Sequence, residues 1–101
     1  MTAERQIKCR KIFEHYGIRS QRRQLVEECA ELIQAVCKLE RSAYDYGREG
    51  FDEARKNFIS ELADVAIMIE QMKLCCAGID KFDKEVDAKL DRQLGRIGDE
   101  P

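Results

Sequence analysis

Apolar residues recur at helical spacing through most of the chain. The clearest series runs through one segment at intervals of three or four residues, with polar residues between its members: Leu25, Cys29, Leu32, Val36 and Leu39. This period is typical of an amphipathic helix, and no stretch of useful length alternates in the manner of a β-strand. The pattern therefore predicts an all-α fold.

Glycines and capping residues divide this pattern into helices. The first predicted helix is Ala3–Tyr16, with Thr2 as its N-cap and Gly17 as its stop. The second begins after Ser20, a candidate N-cap, and ends near Tyr44. It carries a regular apolar stripe, and together with the third predicted helix, with which it forms the longest pair, it is expected to lie at the centre of the fold.

A loop at 45–50 separates the second predicted helix from the third. The third begins near Asp52 and ends by Gly78, and the fourth is capped by Asp80. In the fourth helix apolar residues recur every four positions, until glycines from Gly95 onwards are expected to fray it. Four helices with short connections predict an antiparallel four-helix bundle.

Length and composition limit the classes of protein to consider. The 101 residues form one domain, 1–101 with a core of about 3–97, and a core this small predicts a homodimer or a dimer of dimers. Charged residues make up 38% of the chain but the net charge is only −2, which argues against a nucleic-acid polymer as partner. No apolar run is long enough to cross a membrane, and the five cysteines contain no C-x-x-C motif. We therefore expect a cytoplasmic protein with unpaired cysteines that are mostly buried.

Two pairs of acids lie on the two central helices. Glu28 and Glu31 are three residues apart and share one side of a helical turn, and Glu61 and Asp64 repeat that spacing. Each pair falls at or just beyond the edge of an apolar arc, so the four carboxylates converge if these edges meet. Such a group is unfavourable without a cation, and Mg²⁺ prefers oxygen ligands of this kind. A single pair of this kind usually belongs to a solvated face; two pairs on the central helices make a metal site and a solvated face about equally good explanations.

The arcs themselves are predicted at about 100° per residue. The arc of the second helix is centred near Leu25 and Val36, and that of the third near Val65 and Ile69. Glu27 points further from the packing face than its neighbour Glu28.

The two acidic motifs together carry a resemblance to a known family. The segments EECAEL at 27–32 and ELADV at 61–65 resemble the E-E-x-x-E-L … E-L-x-D-[VL] signature of the MazG-like, all-α nucleoside triphosphate pyrophosphatases. The similarity extends over roughly residues 13 to 97, although the gap between the motifs is longer than is commonest in the family. The resemblance implies a four-helix core that dimerises or tetramerises.

The resemblance to this family also implies an activity, which is the Mg²⁺-dependent hydrolysis of nucleoside triphosphates between the α and β phosphates, with Mn²⁺ as a substitute metal. The metal ligands would be Glu28, Glu31, Glu61 and Asp64.

Other residues receive roles from their position beside these motifs. Glu27, or one of the ligand acids, is a candidate to orient or deprotonate the attacking water. Gln24 lies on the same side of its helix as the acids and is a candidate for binding substrate. Three basic residues share one sector of the fourth helix and are candidates for binding the phosphate groups of the substrate: Lys89, Arg92 and Arg96. Surface ion pairing with Glu85 and its neighbours is the alternative for these three.

Two further functions remain open from the sequence. A helical dimerisation or adaptor module would leave the acids facing solvent, and a nucleotide-sensing regulator would keep the site without turnover. The base and sugar of the substrate are not indicated.

Overall fold

The computed structural model describes residues 1–45, 47–76 and 78–100. Within these ranges the chain is helical and contains no strand, which confirms the all-α prediction. The elements are α1 (Ala3–Tyr16), α2 (Ile18–Asp45), α3 (Arg48–Met72), a short 3-10 helix (Lys73–Cys75) and α4 (Ile79–Asp99).

The two ends of α1 are set by the predicted residues. Thr2 has extended backbone and its Oγ1 accepts a hydrogen bond from the N–H of Arg5 at 3.2 Å. At the other end the N–H of Gly17 donates to the carbonyl of Phe13 at 2.8 Å. Gly17 has φ 87° and ψ 162°, a region that is essentially confined to glycine, so the sharp turn there depends on the missing side chain.

Two helices begin earlier than the sequence predicts. α2 begins at Ile18 and not after Ser20, because the chain turns at Gly17 and the N–H of Gln21 already donates to the Gly17 carbonyl at 3.1 Å. α3 begins at Arg48 and not near Asp52, so the predicted loop at 45–50 is largely helical; its residue 46 lies outside the described residues. Without a proline, nothing in this segment prevents the helices from extending toward each other.

The start and end of α4 also differ from the prediction. α3 gives way to the 3-10 helix after Met72, and Gly78, at φ 95°, precedes the first residue of α4, so Asp80 lies in the first turn and is not the cap. Helix α4 passes through Gly95 and Gly98 to Asp99. A glycine inside a helix lowers its stability by only about 1 kcal/mol, which does not suffice to end it here.

Helices α2 and α3 pack along their length and form the centre of the fold, while α1 lies against both of them. The fully buried apolar residues are few: Cys9, Ala35, Val65 and Met68. Buried polar residues accompany them, among them Ser42, whose hydroxyl donates to the carbonyl of Leu39 at 2.7 Å. The α2–α3 pair is thus a narrow core with polar side chains inside it.

The apolar arcs of α2 and α3 are only partly covered. Val36 is 45% exposed and Ile69 is 41% exposed, although the sequence places both at the centres of their arcs. The packed face of α2 is centred instead nearer to Ala35, whereas on α3 Val65 is buried as predicted and the packed face extends from it toward Met68. Helix α2 is therefore turned from the predicted orientation, and that rotation moves Glu28 and Glu31 toward the α2–α3 contact.

Helix α4 does not lie alongside α2 and α3 within one chain. It packs mainly on the 3-10 helix, where the ammonium of Lys73 lies 5.1 Å from the centre of the Phe82 ring. Among the described side chains of residues 80–99, Phe82 alone is not exposed. The bundle-like packing thus comprises α1–α3, and the fourth helix of the predicted bundle remains apart.

The exposed surface reflects this separation. The chain exposes 7998 Å², whereas a compact monomer of this mass exposes about 5,900 Å². Its radius of gyration is 17.1 Å, against roughly 13 Å for a compact domain of this length. No helix among the described residues is long and apolar enough to cross a bilayer.

Candidate metal centre

Three carboxylates from the two central helices meet at the α2–α3 contact. Glu28 and Glu31 project from one turn of α2, and Glu61 projects from α3. One oxygen from each lies within 4.8 Å of the others. The i, i+3 spacing on α2 therefore does place both acids on the side that faces α3, as the sequence predicts.

These acids differ in their exposure to solvent. Glu28 and Glu61 are half-buried, and Glu31 is exposed. The Oε2 atoms of Glu28 and Glu61 are buried and have no hydrogen-bond partner among the described residues. A buried carboxylate oxygen without a partner loses its hydration with nothing in exchange, so this arrangement is unfavourable in the absence of a ligand.

The charge of the cluster adds to that unfavourable energy. Two unit charges 4.8 Å apart repel by about 0.9 kcal/mol in bulk water and by about 3.5 kcal/mol at an effective dielectric constant of 20. The first value is appropriate for the exposed Glu31, and the half-buried pair lies between the two. The attraction of a divalent cation for each carboxylate would outweigh the repulsion between the carboxylates, and the cation would also provide a partner for the free oxygens.

Gln24 supports the cluster from the preceding turn of α2. Its Nε2 donates a hydrogen bond of 2.7 Å to Oε1 of Glu28. This bond holds one oxygen of Glu28 and leaves Oε2, the unpartnered oxygen, free for a ligand. Gln24 was predicted as a substrate-binding residue; the contact that the structure gives it is with a carboxylate of the cluster.

Two predicted acids lie outside the three-carboxylate group. Asp64 is half-buried on α3, one turn beyond Glu61, but it is not among the acids whose oxygens share the 4.8 Å separation. Glu27 is exposed. The predicted roles of Asp64 as the fourth ligand and of Glu27 as a base therefore remain predictions.

The residues predicted to bind phosphate lie on α4, away from the carboxylates. Lys89, Arg92 and Arg96 are all exposed, and α4 packs mainly on the 3-10 helix. The ammonium of Lys89 lies 3.9 Å from Oε1 of Glu85, which is the surface ion pair named as the alternative. One chain does not bring these cations to the acids.

The structure adds Gln71 to the polar residues of the core. It is 1% exposed, its Nε2 lies 3.9 Å from the Met68 sulfur, and its Oε1 has no hydrogen-bond partner among the described residues. The sequence indicates this position only as a glutamine that lies between Met68 and Met72 within the apolar pattern of α3.

The cysteines contribute no metal cluster or disulfide among the described residues. All five are free, and Cys9 is buried, whereas Cys37, Cys75 and Cys76 are exposed, contrary to the expectation that most would be buried. Burial, and secondly the negative charge of Glu70, raise the pKa of the Cys9 thiol above its ordinary value.

No protein-family model, curated protein or solved structure matches the chain. The resemblance to the MazG-like pyrophosphatases therefore rests on the two acidic motifs, and a function has to be argued from the geometry that those motifs adopt.

Proposed function

We propose that this protein is a Mg²⁺-dependent nucleoside triphosphate pyrophosphohydrolase, which converts a ribo- or deoxyribonucleoside triphosphate to the monophosphate and pyrophosphate. The observation that supports the proposal most strongly is the convergence of Glu28, Glu31 and Glu61 from two helices, with two desolvated oxygens left without partners. A solvated acidic face would not require its oxygens to be buried.

The chemistry of these donors favours a hard cation. All three are carboxylates, and no histidine or thiolate takes part in the group, so Mg²⁺, with Mn²⁺ as a substitute, fits better than zinc or copper. Glu28, Glu31 and Glu61 would hold the ion, with Asp64 as a fourth ligand from the next turn. Bound there, the metal supplies charge neutralisation for a polyphosphate and activation of a water.

The residues of the chain then have distinct tasks. Gln24 fixes the orientation of Glu28. Glu27, or a carboxylate of the cluster, accepts the proton of the water that attacks the α-phosphorus. Lys89, Arg92 and Arg96 bind phosphate oxygens, which requires α4 to approach a carboxylate cluster.

The identity of the cleaved bond comes from the motif resemblance. Hydrolysis between the α and β phosphates is the reaction of the MazG-like proteins, whose double signature the segments 27–32 and 61–65 resemble. We propose that the protein acts in the cytoplasm as a homodimer or homotetramer and serves the cleansing or control of the nucleotide pool.

Product analysis tests this proposal. The chain is incubated with each nucleoside triphosphate and Mg²⁺, and the products are separated by anion-exchange chromatography. Monophosphate with pyrophosphate is expected; diphosphate with phosphate would refute the proposed bond. Glu28→Gln is expected to abolish turnover, and Glu40→Gln, an exposed residue of the same helix, to leave it unchanged.

A non-catalytic helical dimerisation or adaptor module is the second candidate, and the exposed apolar residues of α4 favour it. A nucleotide-sensing regulator would instead bind the triphosphate without hydrolysing it. Thermal melting separates these readings: an adaptor shows no shift with Mg²⁺ and nucleotide, whereas a regulator shows the shift but releases no product.

A further inference from the structure

Helix α4 carries an apolar stripe that none of the described residues covers. Its members are Val86, Leu90, Leu94 and Ile97, which are between 38% and 66% exposed. They lie on one side of the helix, at intervals of four, four and three residues. A row of large apolar side chains over three turns is the form of a helix that packs against another surface.

The charges beside this stripe are mostly acidic on one flank and mostly basic on the other, with Lys84 beside the acidic row and Glu85 within the basic one. At about 100° per residue, one flank carries an acidic row, Asp80, Asp83, Asp87 and Asp91. The opposite flank carries the basic residues Lys89, Arg92 and Arg96. An antiparallel pair of identical α4 helices would bring each row against its own copy, so that acids face acids.

Parallel pairing of α4 with itself is disfavoured for a different reason. Two-stranded parallel coiled coils require an apolar repeat of 3.5 residues, and the stripe repeats at a longer interval that does not maintain such a seam. The stripe therefore fits another surface better than it fits itself.

A surface of the required kind lies between α1 and α3. A groove of about 450 Å³ is lined by apolar residues of both helices, chiefly Cys9, Ile12, Ala63, Ala66 and Ile67. The two alanines permit a helix to approach closely. Arg5 and Lys8 of α1 form its basic rim, and the exposed ion pair of Lys8 with Glu4 is of a kind that contributes little to stability.

We propose that α4 of one chain seats in the α1–α3 groove of a second copy, with its acidic row along Arg5 and Lys8, and that the exchange is reciprocal. The chain exposes about 2,000 Å² more than a compact monomer of its mass, which lies within the roughly 1,000–2,500 Å² per partner that obligate dimers bury. In a two-fold symmetric dimer the same contact between α4 and the α1–α3 groove forms twice, so the stripe and the groove of both chains are covered. The inference does not depend on catalysis.

Charge reversal on the two sides of the contact tests this arrangement. One variant carries Asp87→Lys and Asp91→Lys, and the other carries Arg5→Glu and Lys8→Glu. Each alone is expected to weaken the dimer at least tenfold, because like charges then meet at both copies of the contact. Mixing the two variants restores opposite charges at both contacts of the heterodimer, so the dimer is expected to return. Light scattering coupled to size-exclusion chromatography measures this directly.

Specific outcomes would overturn the proposal. A native chain that is monomeric at micromolar concentration excludes it. Dissociation by the α4 variant but not by the Arg5/Lys8 variant would show that α4 binds elsewhere, and failure of the mixture to recover would exclude the charge match. Circular dichroism of each variant confirms that the helices persist.

The apolar stripe provides an independent test on the same helix. Leu90→Asp together with Leu94→Asp is expected to raise the dimer dissociation constant at least 30-fold, since both side chains would lie at the centre of the contact. Ala88→Asp, on the opposite side of α4, is the matched control and should leave the constant unchanged. Equal effects from the two variants would contradict the assigned face.

Discussion

Replacement of Glu61 by glutamine should have opposite effects on stability with and without metal. The substitution keeps the shape of the side chain and removes one of three negative charges whose oxygens lie within 4.8 Å of one another. It also introduces an amide, which can donate a hydrogen bond to a neighbouring carboxylate of the cluster. Without a divalent cation, Glu61→Gln should therefore be more stable than the native chain.

The separation of the charges sets the size of the effect. Repulsion at 4.8 Å is worth about 0.9 kcal/mol in water and about 3.5 kcal/mol at an effective dielectric constant of 20. Because Glu31 is exposed and Glu28 and Glu61 are only half-buried, we expect a gain of about 1–3 kcal/mol for the variant. For a chain of this length that corresponds to roughly 5–15 °C in melting temperature.

Magnesium should reverse the order of stability. At 1,000 times its dissociation constant the ion stabilises the native chain by about 4.1 kcal/mol, which exceeds the advantage of the variant, and Glu61→Gln should lose most of this gain with its ligand. Melting curves by circular dichroism, each with and without Mg²⁺, provide the assay. Glu40→Gln, an exposed substitution on α2, should behave as the native chain does in both conditions.

Two results would refute this reasoning. A Glu61→Gln chain that melts below the native chain in the absence of metal would show that the carboxylates do not repel one another appreciably. A Mg²⁺ shift of equal size in both chains would show that the ion binds elsewhere.

Three smaller predictions concern the surroundings of the site and the fold. Gln24→Ala removes the 2.7 Å hydrogen bond to Glu28 and should weaken Mg²⁺ binding about 10–100-fold by calorimetry; unchanged affinity would contradict an orienting role. Gly17→Ala should destabilise the fold by about 1–3 kcal/mol in urea unfolding, whereas Gly95→Ala, inside α4 at a negative φ, should be neutral or stabilising. Because the pKa of Cys9 is raised in the fold, its thiol should be alkylated more slowly than the exposed cysteines, and a Cys9 that reacts as fast as the others would contradict this. The contribution of Cys9 to the stability of the fold should be present below the ordinary thiol pKa. It should be lost as the pH rises from that value through the raised pKa.

Local chemistry accounts for the parts of the fold that the sequence predicts well. The period of apolar residues requires helices, and the ends of α1 follow from Thr2 and Gly17, whose effects need only their neighbours. The start of α2 was harder to predict because Ser20 is a suitable cap, yet the turn at Gly17 lets the helix begin at Ile18, three residues earlier than a cap at Ser20 would allow.

The orientation of the central helices depends on information that periodicity lacks. An apolar arc shows which residues avoid water, but it does not show which part of the arc one chain covers. Leu62 and Ile69 are exposed while the neighbouring Glu61 is half-buried, an order that hydrophobicity alone would reverse. The exposure of these apolar residues and the burial of Glu61 are both explained if a second copy covers the outer face of α3 and the acids hold a cation.

Only part of the candidate site could be predicted from the sequence. The spacing of Glu28, Glu31 and Glu61 placed them on the correct sides of two helices, and the structure brings them together. The fourth acid and the basic residues depend on helix rotation and on the position of α4, which neither spacing nor composition determines.

The most direct test of the proposed activity is the position of water attack. Hydrolysis of a nucleoside triphosphate with Mg²⁺ is carried out in water enriched in heavy oxygen, and the products are weighed by mass spectrometry. Attack at the α-phosphorus predicts label in the nucleoside monophosphate and none in the released pyrophosphate, with no product from Glu28→Gln. Label in pyrophosphate, or in free phosphate released with a diphosphate, would contradict the account.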